Sequence, residues 1–461
     1  MLFTSPIFFL FFAVYFSFHC LIPHKYRVYL IICGSTIFYA WWKVEYVWLP
    51  YLLMAVAYTG VRWIEQTSEA VARRRRAIVA IVALFLPLAT FKYTDFFYAD
   101  VLGFQQKLLD LPLPLGVSFV TFTLTAYVVD IYRGRFPFDH GPATVLAYVL
   151  FFPHLIAGPI LRPSELIPQL ARADAPRIIW PTAAIAIFTV GLVKKLVLAN
   201  PMADVVDAIY AKENPSGPEA LLALYGFSMQ IYCDFSGYTD MAIGLAMLLG
   251  IRLPINFRQP YAALSLVNFW RRWHITLSFW LRDYLYIPLG GNRRGRFREI
   301  ANILVTMTLG GLWHGASWTF VIWGILHGLG IAFLHATKRI PGLQALDRLP
   351  SWLCLLVTFH FVTVTWVFFR APSLGRAAAL LSALFVGGGW NTLEGVVMTN
   401  AFPLALMVAF FLSHRFDDHR RIKLAAGHVR GELLWPVITL GWVLALTVSQ
   451  GSSAKFIYFD F

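Results

Sequence analysis

Gly310–Gly328 reads GGLWHGASWTFVIWGILHG. The stretch is almost wholly apolar, yet His314 stands near its start, between Trp313 and Gly315. An imidazole in such a run is either a core side chain satisfied by a neighbouring carbonyl or an acid/base group held at membrane depth. Gly310, Gly311, Gly315 and Ala316 surround it, so a substrate or another backbone can come close. Trp313 and Trp318 are placed to wall the position against water. Histidine exchanges a proton near neutral pH, and a neutral imidazole is what a general base requires.

The rest of the chain supplies the setting. Of 461 residues, 59% are hydrophobic and only 13% charged, against about 25% charged in soluble domains. Mean hydropathy is +0.65. The chain therefore reads as an all-α polytopic membrane protein, a single membrane domain over 1–461. The formal net charge of +14 fits basic cytoplasmic loops and contact with anionic membrane lipids, rather than nucleic acid. Cys20, Cys33, Cys233 and Cys354 lie in apolar runs without metal or redox spacing. The first apolar run, Phe8 to Ile22, has no basic region before it and no cleavage site after it, and reads as a first spanning helix.

A spanning helix needs about 20 apolar residues. Candidate spans are 6–22, 28–42, 46–64, 77–93, 113–132, 143–160, 178–198, 218–233, 300–313, 316–336, 352–369, 400–413 and 433–450. About 11–13 membrane helices are expected. Those at 143–160, 236–250 and 300–313 carry Gly or Pro and are expected to be re-entrant or buried halves. The basic runs His24–Arg27 and Arg73–Arg76 lie two helices apart and belong on the cytoplasmic side, as does His414–Arg430. Both termini are then periplasmic, with residues 451–461 forming an extracytoplasmic tail.

Residues 261–298 combine Trp with Arg. On a continuous helix, Trp270, Trp273, His274, Leu277, Trp280, Leu281 and Tyr284 share an arc of about 120°, with Arg271, Arg272, Arg282 and Asp283 outside it. An amphipathic helix along the cytoplasmic face is expected. His274, at the edge of its aromatic face, is an interfacial histidine or lines the entrance to a buried site.

Of 12 histidines, His154, His274, His314 and His327 have settings that could carry chemistry. No histidine pair has metal-binding spacing in an apolar helix and no Cys-rich site exists, so no metal is expected. Asp234 and Asp240 are the clearest carboxylates within the spans, and Ser236–Gly237 predicts a break between them. A transporter would use them as ion or proton sites, and a polar turn would use them to satisfy its own backbone.

Four stretches, FFPHLIAGPILRPSEL, DFSGYTDMAIGLAMLLGI, FWRRWHITLSFWLRDYLYIPLGGNRRG and LGGLWHGASWTFVIWGILHG, resemble the membrane-bound O-acyltransferases. The likeness is to the branch of the bacterial alginate O-acetyltransferase membrane subunit, with the D-alanine exporter of teichoic acids more distant. It runs from about Tyr39 to Arg370. The resemblance implies a helical membrane fold around a central tunnel. It assigns catalysis to His314 of LWHG and His274 of FWRRWHIT. It also implies a bacterial inner-membrane enzyme with acetyl-coenzyme A as cytoplasmic acyl donor. The acetyl group would cross the membrane for O-acetylation of a polysaccharide such as alginate or cellulose. A periplasmic SGNH-like, esterase-like partner and polysaccharide export or synthase machinery would complete the system.

The tail FIYFDF matches F-x-Y-x-x-F, with Phe456, Tyr458 and Phe461 in place. A similar motif in the family is thought to carry the acyl group on its tyrosine, and the alternative is an aromatic anchor. A phenol ionises near 10 and a thiol near 8.5, so a tyrosyl ester keeps much of a thioester's transfer potential. Arg271, Arg272, Arg293 and Arg294 are candidates for the coenzyme's phosphates. The competing readings are a polysaccharide or acyl-group transporter without covalent catalysis, and a scaffold for a synthase.

Overall fold

The computed structural model describes residues 1–104, 106–172, 174, 176–337, 349–386, 389–449 and 457. Among them every regular element is helical. Six helices are long and apolar enough to cross a membrane: Val44–Glu65, Ala70–Tyr93, Pro181–Ala211, Trp318–Thr337, Ser351–Arg370 and Gly431–Ser449. Trp390–Thr399 and Ala401–Phe416, bent by 87°, make a seventh if counted as one broken span. Some of the other expected segments are shorter. Pro6–Leu21 and Val117–Tyr132 have 16 residues each, below the length that a perpendicular span requires.

The chain packs as two units, residues 1–188 with 238–255, and residues 189–237 with 256–461. In the first, Val117–Tyr132 packs against Trp48–Glu65 and Ala70–Leu88. Every residue from Val117 to Ile131 is buried, its serine, threonines and Asp130 included, which makes it a core helix of this unit. It starts at Gly116, whose φ of +72° is left-handed and whose added Cβ would lie 2.8 Å from the Leu155 carbonyl oxygen. Only glycine meets both conditions. The 143–160 stretch is broken as expected, into Pro142–Leu150 and Phe152–Leu155. Aromatic rings fill the space beside it, with Phe38 5.3 Å and Tyr15 5.4 Å from Phe152.

The second unit is built on a hairpin of Arg296–His314 and Trp318–Thr337, along which Ser351–Arg370 packs. Glycines bring the first two helices into backbone contact. A Cβ on Gly311 would lie 2.2 Å from the Phe320 carbonyl oxygen, and one on Gly324 2.4 Å from that of Met307. The small residues beside His314 therefore admit a second helix, the close packing that glycine permits in membranes. Residues 300–313 are accordingly part of one continuous helix and form no separate half.

The break expected at Ser236–Gly237 does not occur, because Gly217–Leu248 is one helix of 32 residues. Gly237 serves packing instead of bending. A Cβ there would meet the Gly191 carbonyl oxygen at 2.7 Å.

Candidate active site in the second unit

Residues 261–298 do not form the single helix predicted from their pattern. Leu266–Trp270 and Ile275–Leu281 are separate short helices, and His274 between them has φ +41° and ψ 54°. A left-handed backbone at a residue other than glycine costs about 1–3 kcal/mol and persists only where its surroundings enforce it. Asn256 enforces it here from main chain and side chain together. The Asn256 carbonyl accepts the Ile275 N–H at 2.9 Å. Its Oδ1 accepts from the Thr276 N–H at 3.2 Å and from the Thr276 hydroxyl at 2.9 Å. That orientation of the amide makes His274 Nδ1, 3.2 Å away, a donor to the same oxygen. The proton of the neutral ring is thus on Nδ1, and Nε2 is the basic nitrogen.

The aromatic arc supplies most of the buried face, but Asp283, expected outside it, is buried as well, and Tyr284 within it is half-buried. Trp270, Trp273, Leu277, Trp280 and Leu281 are buried, while Arg271 and Arg282 are exposed. His274 is not interfacial, however. It is 0% exposed, and burial pushes its imidazole down to about 3. Phe235 meets its ring edge-on at 4.7 Å.

His314 is the last residue of its helix and is 3% exposed. Its ring stands 5.0 Å from Trp313, 5.3 Å from Trp323 and 5.1 Å from Phe369, all near edge-to-face. The His274 ring lies 6.4 Å away. Two buried imidazoles, one in a turn and one at a helix end, thus share one aromatic enclosure. Trp318, expected to help exclude water, is 45% exposed. It opens the next helix with its side chain outward, and Trp323 and Phe369 close the site in its place.

The other two histidines are held as core groups. His327 Nδ1 accepts from the Trp270 indole at 3.3 Å, so Nε2 carries the proton and donates to the Thr365 hydroxyl at 3.0 Å. Thr365 passes its own proton to the Val362 carbonyl at 2.8 Å. His154 Nε2 donates to the Tyr148 carbonyl at 2.8 Å.

The four arginines do not converge. Arg272 turns toward the Gln259 carbonyl at 3.4 Å, and Arg293 and Arg294 are exposed in the turn before Arg296–His314. Arg271 lines a cavity of about 360 Å³ with Arg282, Tyr286, His335 and Trp270. Trp270, on the wall of that cavity, is also in ring contact with Trp323 of the enclosure, 5.7 Å away. Among the described residues no three His, Cys, Asp or Glu side chains cluster as metal ligands would. Tyr458, with Phe456 and Phe461, lies outside the described residues.

Residues 18–369 match the membrane-bound O-acyltransferase family. The chain belongs to that family. It is 38% identical to "Probable alginate O-acetylase AlgI" of Pseudomonas aeruginosa, over 90% of this chain and 82% of the relative. It is 38% identical to a peptidoglycan O-acetyltransferase of Helicobacter pylori, over 77% and 73% of the two chains. A teichoic acid D-alanyltransferase of Bacillus subtilis is 28% identical over 54% of this chain and 66% of its own length. The protein is a multi-pass membrane O-acyltransferase.

This O-acyltransferase also holds charges that the sequence reading passed over. Lys194 and Lys195 are consecutive in a widened helical turn, Lys194–Ala199, and both are buried. Lys194 Nζ lies 2.5 Å from Asp417 and Lys195 Nζ 2.8 Å from Asp234. Tyr232 also donates its hydroxyl to Asp417. The Asp417 carboxyl is pushed up by burial, but Lys194 and Tyr232 outweigh this and hold it below the usual carboxylate range. The signal was present in GLVKKLVLAN, since two lysines inside an apolar span demand partners. Asn256 left no such signal, because its role exists only once the chain has turned at His274.

Proposed function

We propose that this O-acyltransferase moves an acetyl group from cytoplasmic acetyl-coenzyme A across the bacterial inner membrane, for O-acetylation of an extracellular or cell-wall polysaccharide, with both termini on the periplasmic side. The observation that carries the reading is the pair of imidazoles, His274 and His314, 6.4 Å apart inside an aromatic enclosure. The named activities of the alginate and peptidoglycan relatives support the choice of acyl group and acceptor class.

In this mechanism the Tyr458 hydroxyl attacks the thioester carbonyl carbon while the His314 imidazole accepts its proton. Collapse of the tetrahedral adduct breaks the carbon–sulfur bond, and the imidazolium returns the proton to the departing thiolate. The products are acetyl-Tyr458 and free coenzyme A thiol. A hydroxyl on a periplasmic SGNH-like partner then takes the acetyl group, and the phenolate is reprotonated. Polysaccharide export machinery delivers the final acceptor.

His274, basic at Nε2, assists proton movement beside His314. Arg271 and Arg282 flank the cavity whose wall includes Trp270, which suits a phosphate-bearing donor there. Arg272, Arg293 and Arg294 supply longer-range attraction. The transporter reading lacks this support, because Asp234 is already neutralised by Lys195.

The test is mass spectrometry of purified protein after incubation with labelled acetyl-coenzyme A. Wild type gains one acetyl group on the C-terminal peptide, and His314→Ala and Tyr458→Phe do not. Full polysaccharide acetylation by Tyr458→Phe would remove the carrier step, and full acetylation by His314→Ala would remove the whole mechanism.

A further inference from the structure

Ile457 is described within the last twelve residues, and it is buried in the second unit at 6% exposure. Its backbone N–H donates to Asp234 Oδ2 at 2.8 Å. The other oxygen of that carboxylate faces Lys195 Nζ at 2.8 Å. The Asp234 and Lys195 side chains are only 3% and 6% exposed. A carboxylate this deep requires a counter-charge, and Lys195 provides it.

We propose that Asp234, braced by Lys195, is the seat that grips the C-terminal segment of the enzyme at the Ile457 amide. The segment is recognised through its backbone, so the contact sets register and not only proximity. The adjacent residue of the same helix as Asp234 is Phe235, about 1.5 Å further along its axis. Phe235 packs edge-on against His274 at 4.7 Å, and His274 lies beside His314. Seating Ile457 on Asp234 thus anchors the residue before Tyr458 to the helix that carries Phe235, whose ring contacts His274. Asp234 is a positioning residue, and its value to Tyr458 rests on the carrier reading above.

Two measurements on the full-length protein in nanodiscs separate the seat from the carrier. In hydrogen–deuterium exchange, the Ile457 amide is expected to be protected in wild type. Exchange should be about ten-fold faster or more in Asp234→Leu, because a hydrogen bond to a charged group is lost. Tyr458→Phe should leave it protected. Ile457→Pro deletes the N–H at the chain's end, where global unfolding is not at issue, and should lower acetyl labelling of Tyr458 about ten-fold or more. Exchange in the remaining helices of that variant should be unchanged. Protection that survives Asp234→Leu, or full labelling in Ile457→Pro, overturns the seat. Loss of protection in Asp234→Leu with no labelling of Tyr458 in any variant supports the seat and removes the carrier.

Discussion

Asn256 Oδ1 lies 3.2 Å from His274 Nδ1 and accepts its proton. One amide therefore sets the tautomer of a buried imidazole while the same residue's carbonyl holds the turn that buries it. Asn256→Ala removes the acceptor and leaves Thr276 and His274 without it, a loss of about 1–3 kcal/mol. Acyl transfer by Asn256→Ala is expected to fall about as far as in His274→Ala, and the double variant no further. Single-turnover acyl-transfer rates of the three variants check this, and strictly multiplicative losses would separate the two residues.

His314 and His327 should respond in opposite ways. His314→Ala removes the proposed base and should lower the transfer rate by at least about 100-fold with little change in thermal midpoint. His327→Ala leaves the Trp270 indole without its buried acceptor, while the Thr365 hydroxyl keeps only the Val362 carbonyl. It should lower the midpoint while retaining most activity per folded molecule. Rates normalised to folded protein distinguish the two.

The pH dependence of stability follows from His274. Its imidazole titrates near 6.5 when unfolded and is held at about 3 in the fold. Between those values the unfolded state binds one more proton, so its contribution to stability is complete above about 6.5 and declines as pH falls toward 3. The slope for one group is about 1.4 kcal/mol per pH unit. Thermal midpoints measured from pH 7 to pH 5 should drop in wild type and drop less steeply in His274→Gln.

Gly311 and Gly324 should tolerate no side chain. Gly311→Ala forces a methyl onto the Phe320 carbonyl, where it would lie 2.2 Å away. Overpacking of this kind costs about 1–3 kcal/mol, and because neither helix can move without the other, a midpoint drop should accompany lost activity. Gly395, whose added Cβ meets nothing within 4 Å, is the control.

The Lys194–Asp417 pair should obey the rule for buried ions. Lys194→Met strands a carboxylate and should destabilise by about 3–5 kcal/mol. Lys194→Met with Asp417→Leu removes both charges and should be more stable than the single variant, as thermal midpoints would show.

Much of the architecture was legible because hydropathy reports it directly, and the Trp318–Thr337 and Ser351–Arg370 spans fall where the apolar runs placed them. His314 was legible as an ionisable group in a run with no other purpose for it. The register of 261–298 was not. Periodicity assumes a continuous helix, and the turn at His274 depends on Asn256, which is remote in sequence and approaches only in the fold. The arc still marked most of the buried residues, because the two short helices keep their aromatic faces inward on either side of the turn, although Asp283 outside it is buried too. Gly311 was legible as a point of close approach, but whether a ligand or a helix would arrive there depends on Phe320 and Gly324 across the hairpin.

The adjacent lysines have a consequence for how the protein is made. Synthesis delivers Lys194 and Lys195 before either aspartate exists, and an uncompensated lysine in a span opposes insertion, by about 2.5–3.5 kcal/mol where it lies at the centre. Asp234 follows soon afterward, but Asp417 comes much later in the chain. The Pro181–Ala211 span therefore gains its second counter-charge only after the Asp417 segment has been made and folded against it. Nascent chains truncated before Asp417 would keep one unmatched charge.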